Sequence, residues 1–138
     1  MKKSILLHLI VGLAITSCQH KVVNIKPTYN KGGYAINHMQ SESKSTTVVF
    51  GQVVDIETNQ ILSPAIVKMG CLTVQTDESG KYEILQESST TMSFLTCSFI
   101  GYRTIETERF RIVKGDSLKV NFFLVQDDRL LINCEGQE

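Results

Sequence analysis

The chain has 138 residues, with 14 basic and 14 acidic side chains, so it carries no net charge at neutral pH. This balance, without a stripe of lysine and arginine, argues against a protein that binds nucleic acid. Tryptophan is absent, and the apolar residues beyond the N-terminus are mostly β-branched or phenylalanine, which favours strands over helices.

The first 18 residues have the layout of a bacterial secretory signal. Lys2 and Lys3 precede an apolar run at residues 5–15, and the segment closes on Ile15-Thr16-Ser17-Cys18. The run is too short to span a bilayer, which takes about 20 residues. The closing four residues resemble the lipobox of a bacterial lipoprotein. That resemblance implies that residues 1–17 are removed and that Cys18 becomes the lipidated first residue.

The mature chain would have 121 residues, with 12 basic and 14 acidic side chains and a net charge of −2. This length suits one domain of common size. Residues 18–47 are polar and aperiodic, and they include Pro27, Gly32 and Gly33. We predict a flexible, lipid-anchored tether here, with a span of about 30 Å. An extra strand at residues 21–25 is the alternative, and residues 48–138 form the predicted domain.

Short apolar runs recur through this domain at intervals of about 8–12 residues, which is typical of a sandwich or barrel. We predict strands at 48–54, 65–69, 72–76, 81–85, 92–100, 102–113 with a break near Glu108, 118–125 and, more weakly, 130–134. Turn-forming residues separate the runs at Asp77-Glu78-Ser79-Gly80, Lys114-Gly115-Asp116-Ser117 and Thr58-Asn59-Gln60. The sequence therefore predicts a single all-β sandwich of about seven strands.

Alternation of apolar and polar residues within these strands identifies the side chains that face the interior. The 48–54 run is apolar on both faces, as expected for a central strand that is covered on both sides. The predicted core contains Val53, Val67, Ile84, Leu95, Phe99 and Phe122.

An ordered set of motifs runs from residue 48 to residue 125. It comprises Gly51-x-Val53-x-Asp55, then Thr58, Leu62, Ala65 and Val67, then Thr76-Asp77-x-x-Gly80-x-Tyr82, and finally Ile100-Gly101-Tyr102. The set resembles the carboxypeptidase regulatory-like domain, a transthyretin-like or immunoglobulin-like β-sandwich. The form that ends in Ile-Gly-Tyr resembles the copies that precede outer-membrane receptor barrels in Bacteroidetes-type bacteria.

We expect these motif residues to be structural. Gly51 would allow close approach of a neighbouring strand, Gly80 would supply the positive φ of a hairpin, and Tyr102 would anchor its hydroxyl across a strand corner. The chain departs mildly from the family pattern, because Asn59 stands where glycine is usual and Ser63-Pro64 replaces Pro-Gly.

Catalytic and metal-binding residue types are scarce in the predicted domain. All three histidines, His8, His20 and His38, lie before residue 48, so Ser-His and Cys-His pairs are not expected. Hydrolases of the transthyretin-like class look to need histidines and a Tyr-Arg-Gly-Ser-type end, whereas this chain ends in Cys-Glu-Gly-Gln-Glu. We expect no enzyme activity and no cofactor.

A calcium site is conceivable at Asp55, Glu57, Asp77 and Glu78, because Ca²⁺ takes several oxygen ligands. However, Asp55 and Asp77 lie in predicted turns, where we expect their carboxylates to accept hydrogen bonds from backbone amides. We therefore predict no metal site.

Three cysteines remain after Cys18, namely Cys71, Cys97 and Cys134. At most one disulfide can form within the chain, and the spacing does not identify its partners. Burial as small apolar side chains is the favoured interpretation. Cysteine-dependent chemistry would need a nearby cation or helix end to lower the thiol pKa.

These observations predict a non-catalytic lipoprotein that acts as a protein-binding or assembly module in the cell envelope. Its expected partners are the membrane, through Cys18, and an envelope protein. Surface-exported lipoproteins of the bacterial group that the chain resembles tend to be acidic just after the cysteine. The residues after Cys18 lack such an acidic cluster, so the resemblance implies the periplasmic face of the outer membrane. The alternatives are a small glycan- or ligand-binding domain and, less favoured, a minor hydrolase of the transthyretin-like class.

Overall fold

The computed structural model describes residues 23–39, 46–87 and 91–129. The predicted signal, Cys18, Cys134 and the weak strand at 130–134 lie outside these ranges. The described chain is all-β, as predicted, and it holds no helix of the length and hydropathy needed to cross a bilayer. Its strands are β1 (Lys26–Pro27), β2 (Gly33–Met39), β3 (Thr47–Asp55), β4 (Ile66–Met69), β5 (Leu72–Gln75), β6 (Lys81–Gln86), β7 (Thr91–Ser93), β8 (Leu95–Ser98), β9 (Ile105–Glu106), β10 (Phe110–Ile112) and β11 (Ser117–Leu124).

Two sheets and a small hairpin-like pair make up the fold. The larger sheet has the order β1-β2-β11-β3-β6, in which β11 and β3 are parallel and the other neighbours are antiparallel. The smaller sheet has the order β5-β4-β8-β9, and β7 pairs with β10. One hydrophobic core joins inward residues of both sheets, which confirms the predicted sandwich.

The strand count exceeds the predicted seven for two reasons. The runs at 92–100 and 102–113 each divide in two, because the chain changes its hydrogen-bonding partner within each run. β7 and β10 pair with one another, whereas β8 lies between β4 and β9. The other two additional strands are β1 and β2.

β1 and β2 show that the predicted flexible tether is wrong for residues 26–39. All seven residues of β2 pair with β11, and the Tyr34 side chain is only 2% exposed. A Cβ atom on Gly32 would lie 2.3 Å from Ile105 Cδ1, so this glycine permits close packing where the sequence suggested flexibility. The alternative strand at 21–25 was predicted too early, since β1 is Lys26–Pro27.

β2 also corrects the prediction that the folded domain lacks histidine. His38 lies on this strand, opposite Leu118, with an exposed side chain. It is six positions along β11 from Leu124, the partner of Asp55, a separation of about 20 Å. His38 is therefore far from the cluster of hydrogen-bonded polar residues around Asp55.

The predicted core is largely confirmed. Val53, Val67, Ile84, Leu95 and Phe122 are each at most 2% exposed. Phe99 is only partly buried, because it lies in the turn that follows β8 and packs against the edge of the core.

The predicted turns form with the expected backbone geometry. Asn59 and Gly80 have φ values of 58° and 71°, and the Gly80 amide donates to the Asp77 carbonyl over 2.8 Å. The third turn begins one residue earlier than predicted, since the Asp116 amide donates to the Val113 carbonyl. Gly115 takes the positive φ there, at 88°.

The two ends of the sandwich can be identified by the two ends of β3. This strand begins at Thr47 and finishes at Asp55, a length of about 26 Å for nine residues. β11 runs parallel to it and β2 runs antiparallel, so Met39 lies at the Thr47 end and Gly33 lies near the Asp55 end. We use "Thr47 end" and "Asp55 end" below.

Candidate interaction site at the Asp55 end

A tight turn at the Asp55 end presents the most exposed aliphatic side chain among those described. The Tyr102 amide donates to the Phe99 carbonyl over 3.1 Å, and Gly101 takes a φ of 78° that side-chain-bearing residues rarely adopt. Ile100 lies at the tip of this turn and is 89% exposed. The backbone thus holds a large apolar side chain out in solvent.

A buried carboxylate fixes the turn from one side. Asp55 is only 3% exposed, and its Oδ1 accepts hydrogen bonds from the amides of Glu57 and Thr58, each over 2.8 Å. Its Oδ2 accepts the Tyr102 hydroxyl over 2.8 Å. The prediction of an anchored Tyr102 hydroxyl is confirmed, with Asp55 as the acceptor.

These contacts keep Asp55 ionised at neutral pH. The hydrogen bond from the Thr58 amide lowers the carboxyl pKa most, burial opposes it, and the Tyr102 hydroxyl lowers it further. The pKa of Tyr102 rises in turn, through burial and the adjacent carboxylate. The hydroxyl therefore remains a donor throughout the physiological range.

The chain after β11 fixes the turn from the other side. The Asp127 amide donates to the Gly101 carbonyl over 2.8 Å, and the Arg103 amide donates to the Val125 carbonyl over 3.0 Å. The Arg103 guanidinium contacts the carboxylates of both Asp127 and Asp128. Arg129 also pairs with Asp127 and, as the main cause, lowers the pKa of that carboxyl to about 2.

An apolar depression adjoins Ile100. Pro64, Ile66 and Phe99 line it together with Ile100, and Gln75 and Ser98 supply its polar edge. The Phe99 ring also contacts Tyr102, with ring centroids 5.5 Å apart. This surface offers apolar area and few polar groups, so it is suited to burial against another apolar surface.

The remaining motif residues stabilise the sandwich away from this site. A Cβ atom on Gly51 would lie 1.7 Å from the Val120 carbonyl oxygen, which confirms the expected close approach. The buried Tyr82 hydroxyl donates to that same carbonyl over 2.8 Å. Of the predicted structural residues, Asp55, Gly101 and Tyr102 meet at the Asp55 end, whereas Gly51, Val53, Thr76, Asp77, Gly80 and Tyr82 lie elsewhere in the sheets and hairpins.

The buried Thr76 hydroxyl shows how local these structural roles are. It accepts the Ala65 amide over 2.8 Å and donates to the Leu62 carbonyl over 2.9 Å. It thereby closes the loop that leads into β4.

Asp55 and Asp77, two of the four acidic residues considered for calcium, accept backbone amides, as expected. Asp77 Oδ1 accepts the amides of Ser79 and Lys81, each over 2.9 Å, and the Ser79 hydroxyl. Within the described residues, no group of three histidine, cysteine or acidic side chains could hold a metal ion.

The two described cysteines are both free, so they do not form a disulfide with one another. Cys97 is buried, as predicted, and burial raises its pKa to about 12. Cys71 is exposed, in the turn between β4 and β5, so burial does not explain it. A nucleophilic role is disfavoured for Cys97, because its thiol stays protonated at neutral pH.

Sequence reasoning identified the anchor of this site but missed its exposed tip. Ile100 ends an apolar run that resembles a core strand, which hides its exposure. Gly101 is the sequence signal that could have indicated the exposure of Ile100. Glycine favours a turn, and a residue that precedes it within a turn is no longer part of the buried strand.

Comparison of the sequence with protein-family models and with curated proteins finds no match. The resemblance to carboxypeptidase regulatory-like domains therefore rests on the motif residues and their spacing.

Proposed function

We propose that this protein is a non-catalytic lipoprotein that serves as a protein-binding or assembly module in the cell envelope. Ile100 carries the proposal, because it is 89% exposed on a turn that hydrogen bonds hold on both sides. The partner is an envelope protein with an apolar surface that covers Ile100 and the adjoining depression.

The rigidity of the turn favours binding. Contiguous apolar surface exposed on a folded domain marks interaction sites more often than single apolar side chains do, and Ile100 is continuous with the depression lined by Pro64, Ile66 and Phe99. A partner that covers Ile100 gains about 1.5–3 kcal/mol from burying this side chain. Because the turn is already ordered by Asp55 and Asp127, little of that gain is lost in fixing the backbone.

The engagement of the acidic and thiol side chains described above favours a binding role over catalysis. The Asp55 carboxylate is occupied by two amides and a tyrosine hydroxyl, and Asp77 is likewise occupied by its own turn. The Cys97 thiol has a raised pKa. The two aspartates therefore act as structural groups, and the Cys97 thiol is buried in the core.

The proposed location follows from the N-terminal sequence. The lipobox-like Ile15-Thr16-Ser17-Cys18 supports lipidation of Cys18 and anchoring in a membrane. The resemblance to domains that accompany outer-membrane receptors supports the outer membrane, and the lack of acidic residues after Cys18 supports its periplasmic face.

In-cell crosslinking of the full-length protein tests the binding role. We expect Ile100→Ser to reduce recovery of the crosslinked partner by about tenfold, since burial of the side chain is lost. Leu72→Ser is the matched control, because Leu72 is also an exposed aliphatic residue, at 42%, but lies on β5. Equal recovery with both variants would show that Ile100 is not the contact.

A further inference from the structure

We propose that the Thr47 end of the sandwich rests directly on the lipid headgroups of the membrane, with the Ile100 surface facing away. This inference depends on the proposed lipid anchor at Cys18. The sequence predicts a flexible tether of about 30 Å between the membrane and the domain. In the proposed arrangement, the domain contacts the bilayer surface directly.

The direction of the chain places the anchor at the Thr47 end. β1 is antiparallel to β2, so the chain before Lys26 leads back along β2 from the Asp55 end towards Met39. Val23 and Asn24 line the same depression as Asn37 and Met39, which agrees with this course.

The length of the connection keeps this end close to the membrane. Five peptide steps separate Cys18 from Val23. Even fully extended, they span at most about 18 Å, since each residue adds about 3.3–3.6 Å. A lipidated Cys18 therefore cannot hold the domain far from the bilayer surface.

The side chains at the Thr47 end suit a lipid surface. Val23, Met39, Leu85 and Val113 are between 42% and 58% exposed. Three of them are placed at this end by their neighbours. Met39 pairs with Ser117 at the start of β11, Leu85 pairs with Val48, and the Val113 carbonyl accepts the Thr47 hydroxyl over 3.1 Å.

Apolar contact is the main attraction in this arrangement. Exposed Lys114 follows Val113 and can reach anionic headgroups, but Glu87 and Asp116 lie at the same end. These three charged side chains sum to a charge of −1, which gives no net attraction to anionic headgroups, so we expect insertion of the apolar side chains into the headgroup region to dominate.

This seating sets the position of the Ile100 surface. It lies at the opposite end of the sandwich, about 26 Å away along β3. The length of the rigid domain, and not that of a flexible coil, then fixes the distance between the bilayer surface and a partner bound at Ile100.

Single tryptophan reporters can test the orientation, because the chain has no tryptophan of its own. Met39→Trp, Val113→Trp and Ile100→Trp are each prepared as full-length, lipidated protein in vesicles of phosphatidylethanolamine and phosphatidylglycerol with brominated acyl chains. We expect quenching of about twofold at positions 39 and 113, since interfacial groups lie about 5–10 Å into the boundary. We expect almost none at position 100.

The outcomes separate this inference from the proposed function. If mass spectrometry finds no lipid on Cys18 and the protein does not sediment with vesicles, the protein is not lipid-anchored. That result would overturn the seating and also the membrane-anchored part of the proposed function. If the protein is anchored but positions 39 and 113 are no more quenched than position 100, only the seating is overturned. Shielding of those positions from aqueous iodide without quenching by brominated lipid would assign the surface to contact with a second copy of this chain and would also overturn the seating. Urea unfolding of each variant confirms that the fold is retained.

Discussion

The hydrogen bond between Tyr102 and Asp55 gives the sharpest test of how the candidate site is held. Tyr102→Phe keeps the ring that packs on Phe99 and removes only the hydroxyl. Asp55 Oδ2 then lacks the donor that lies 2.8 Å away, inside a residue that is 3% exposed. Hydrogen bonds to charged groups contribute about 1.5–3 kcal/mol. We expect a loss of about 2 kcal/mol in the free energy of unfolding, and a fall in melting temperature of about 8–16 °C.

The pH dependence of this loss provides a second measurement. The folded-state pKa of Asp55 is lowered, so its carboxylate stabilises the fold above the unfolded pKa of about 3.9, and that contribution is lost as the pH falls through the folded pKa. Tyr102→Phe removes one cause of the lowering, so the folded pKa rises towards its ordinary value. The stability difference between wild type and variant should therefore be full at pH 6 to 7 and narrow below about pH 4.

Urea unfolding at a series of pH values, followed by circular dichroism, measures both effects. Tyr29→Phe is the control, because Tyr29 is fully exposed and its hydroxyl should contribute nothing. Equal stability of Tyr102→Phe and wild type at neutral pH would refute the argument that Asp55 and Tyr102 hold the turn. A constant difference across the whole pH range would refute the role of the ionised carboxylate.

Three further outcomes follow from the structure and from the proposed anchor. Gly51→Ala should prevent stable folding, because its Cβ would lie 1.7 Å from a backbone oxygen of β11. Gly70→Ala, in contrast, meets no atom within 4 Å, and its positive φ should reduce the free energy of unfolding by only about 1 kcal/mol. Comparable yields and unfolding midpoints for the two variants would contradict this expectation. A maleimide should label Cys71 rapidly in the native protein and Cys97 only on unfolding, since Cys97 is buried with a pKa of about 12; equal labelling rates would count against the core described above. Cys18→Ala should leave the melting temperature unchanged and move the protein from the membrane to the soluble fraction, which fractionation and immunoblotting can measure.

The all-β fold, most of the core and three turns could be predicted from the sequence because their signals are local. Alternation at residues 65–69 and Asp-x-x-Gly at 77–80 each report on a few neighbouring residues. β2 was missed for the opposite reason. Its small and polar residues alternate weakly, and its partner β11 lies about 80 positions later in the chain, so only long-range pairing shows that Tyr34 is buried.

The candidate site was predictable only in part. The sequence indicated that the Tyr102 hydroxyl is anchored and that Asp55 accepts backbone amides. It did not indicate that these two side chains meet. They are 47 positions apart in the sequence and come together only because β8 and β3 both finish at the Asp55 end of the sandwich.

The order of strands has a consequence for how the chain is made. β11, the last of the described strands, lies between β2 and β3, so neither of these early strands has its full set of neighbours until residues 117–124 exist. A ribosome-bound chain that stops before Ser117 leaves β2 with only the two-residue β1, and a two-stranded unit of that size is marginal. Completion of the larger sheet is thus delayed until residues 117–124 have been synthesised. If the chain is exported, as we propose, this delay favours a chain that is still unfolded when it reaches the translocation channel.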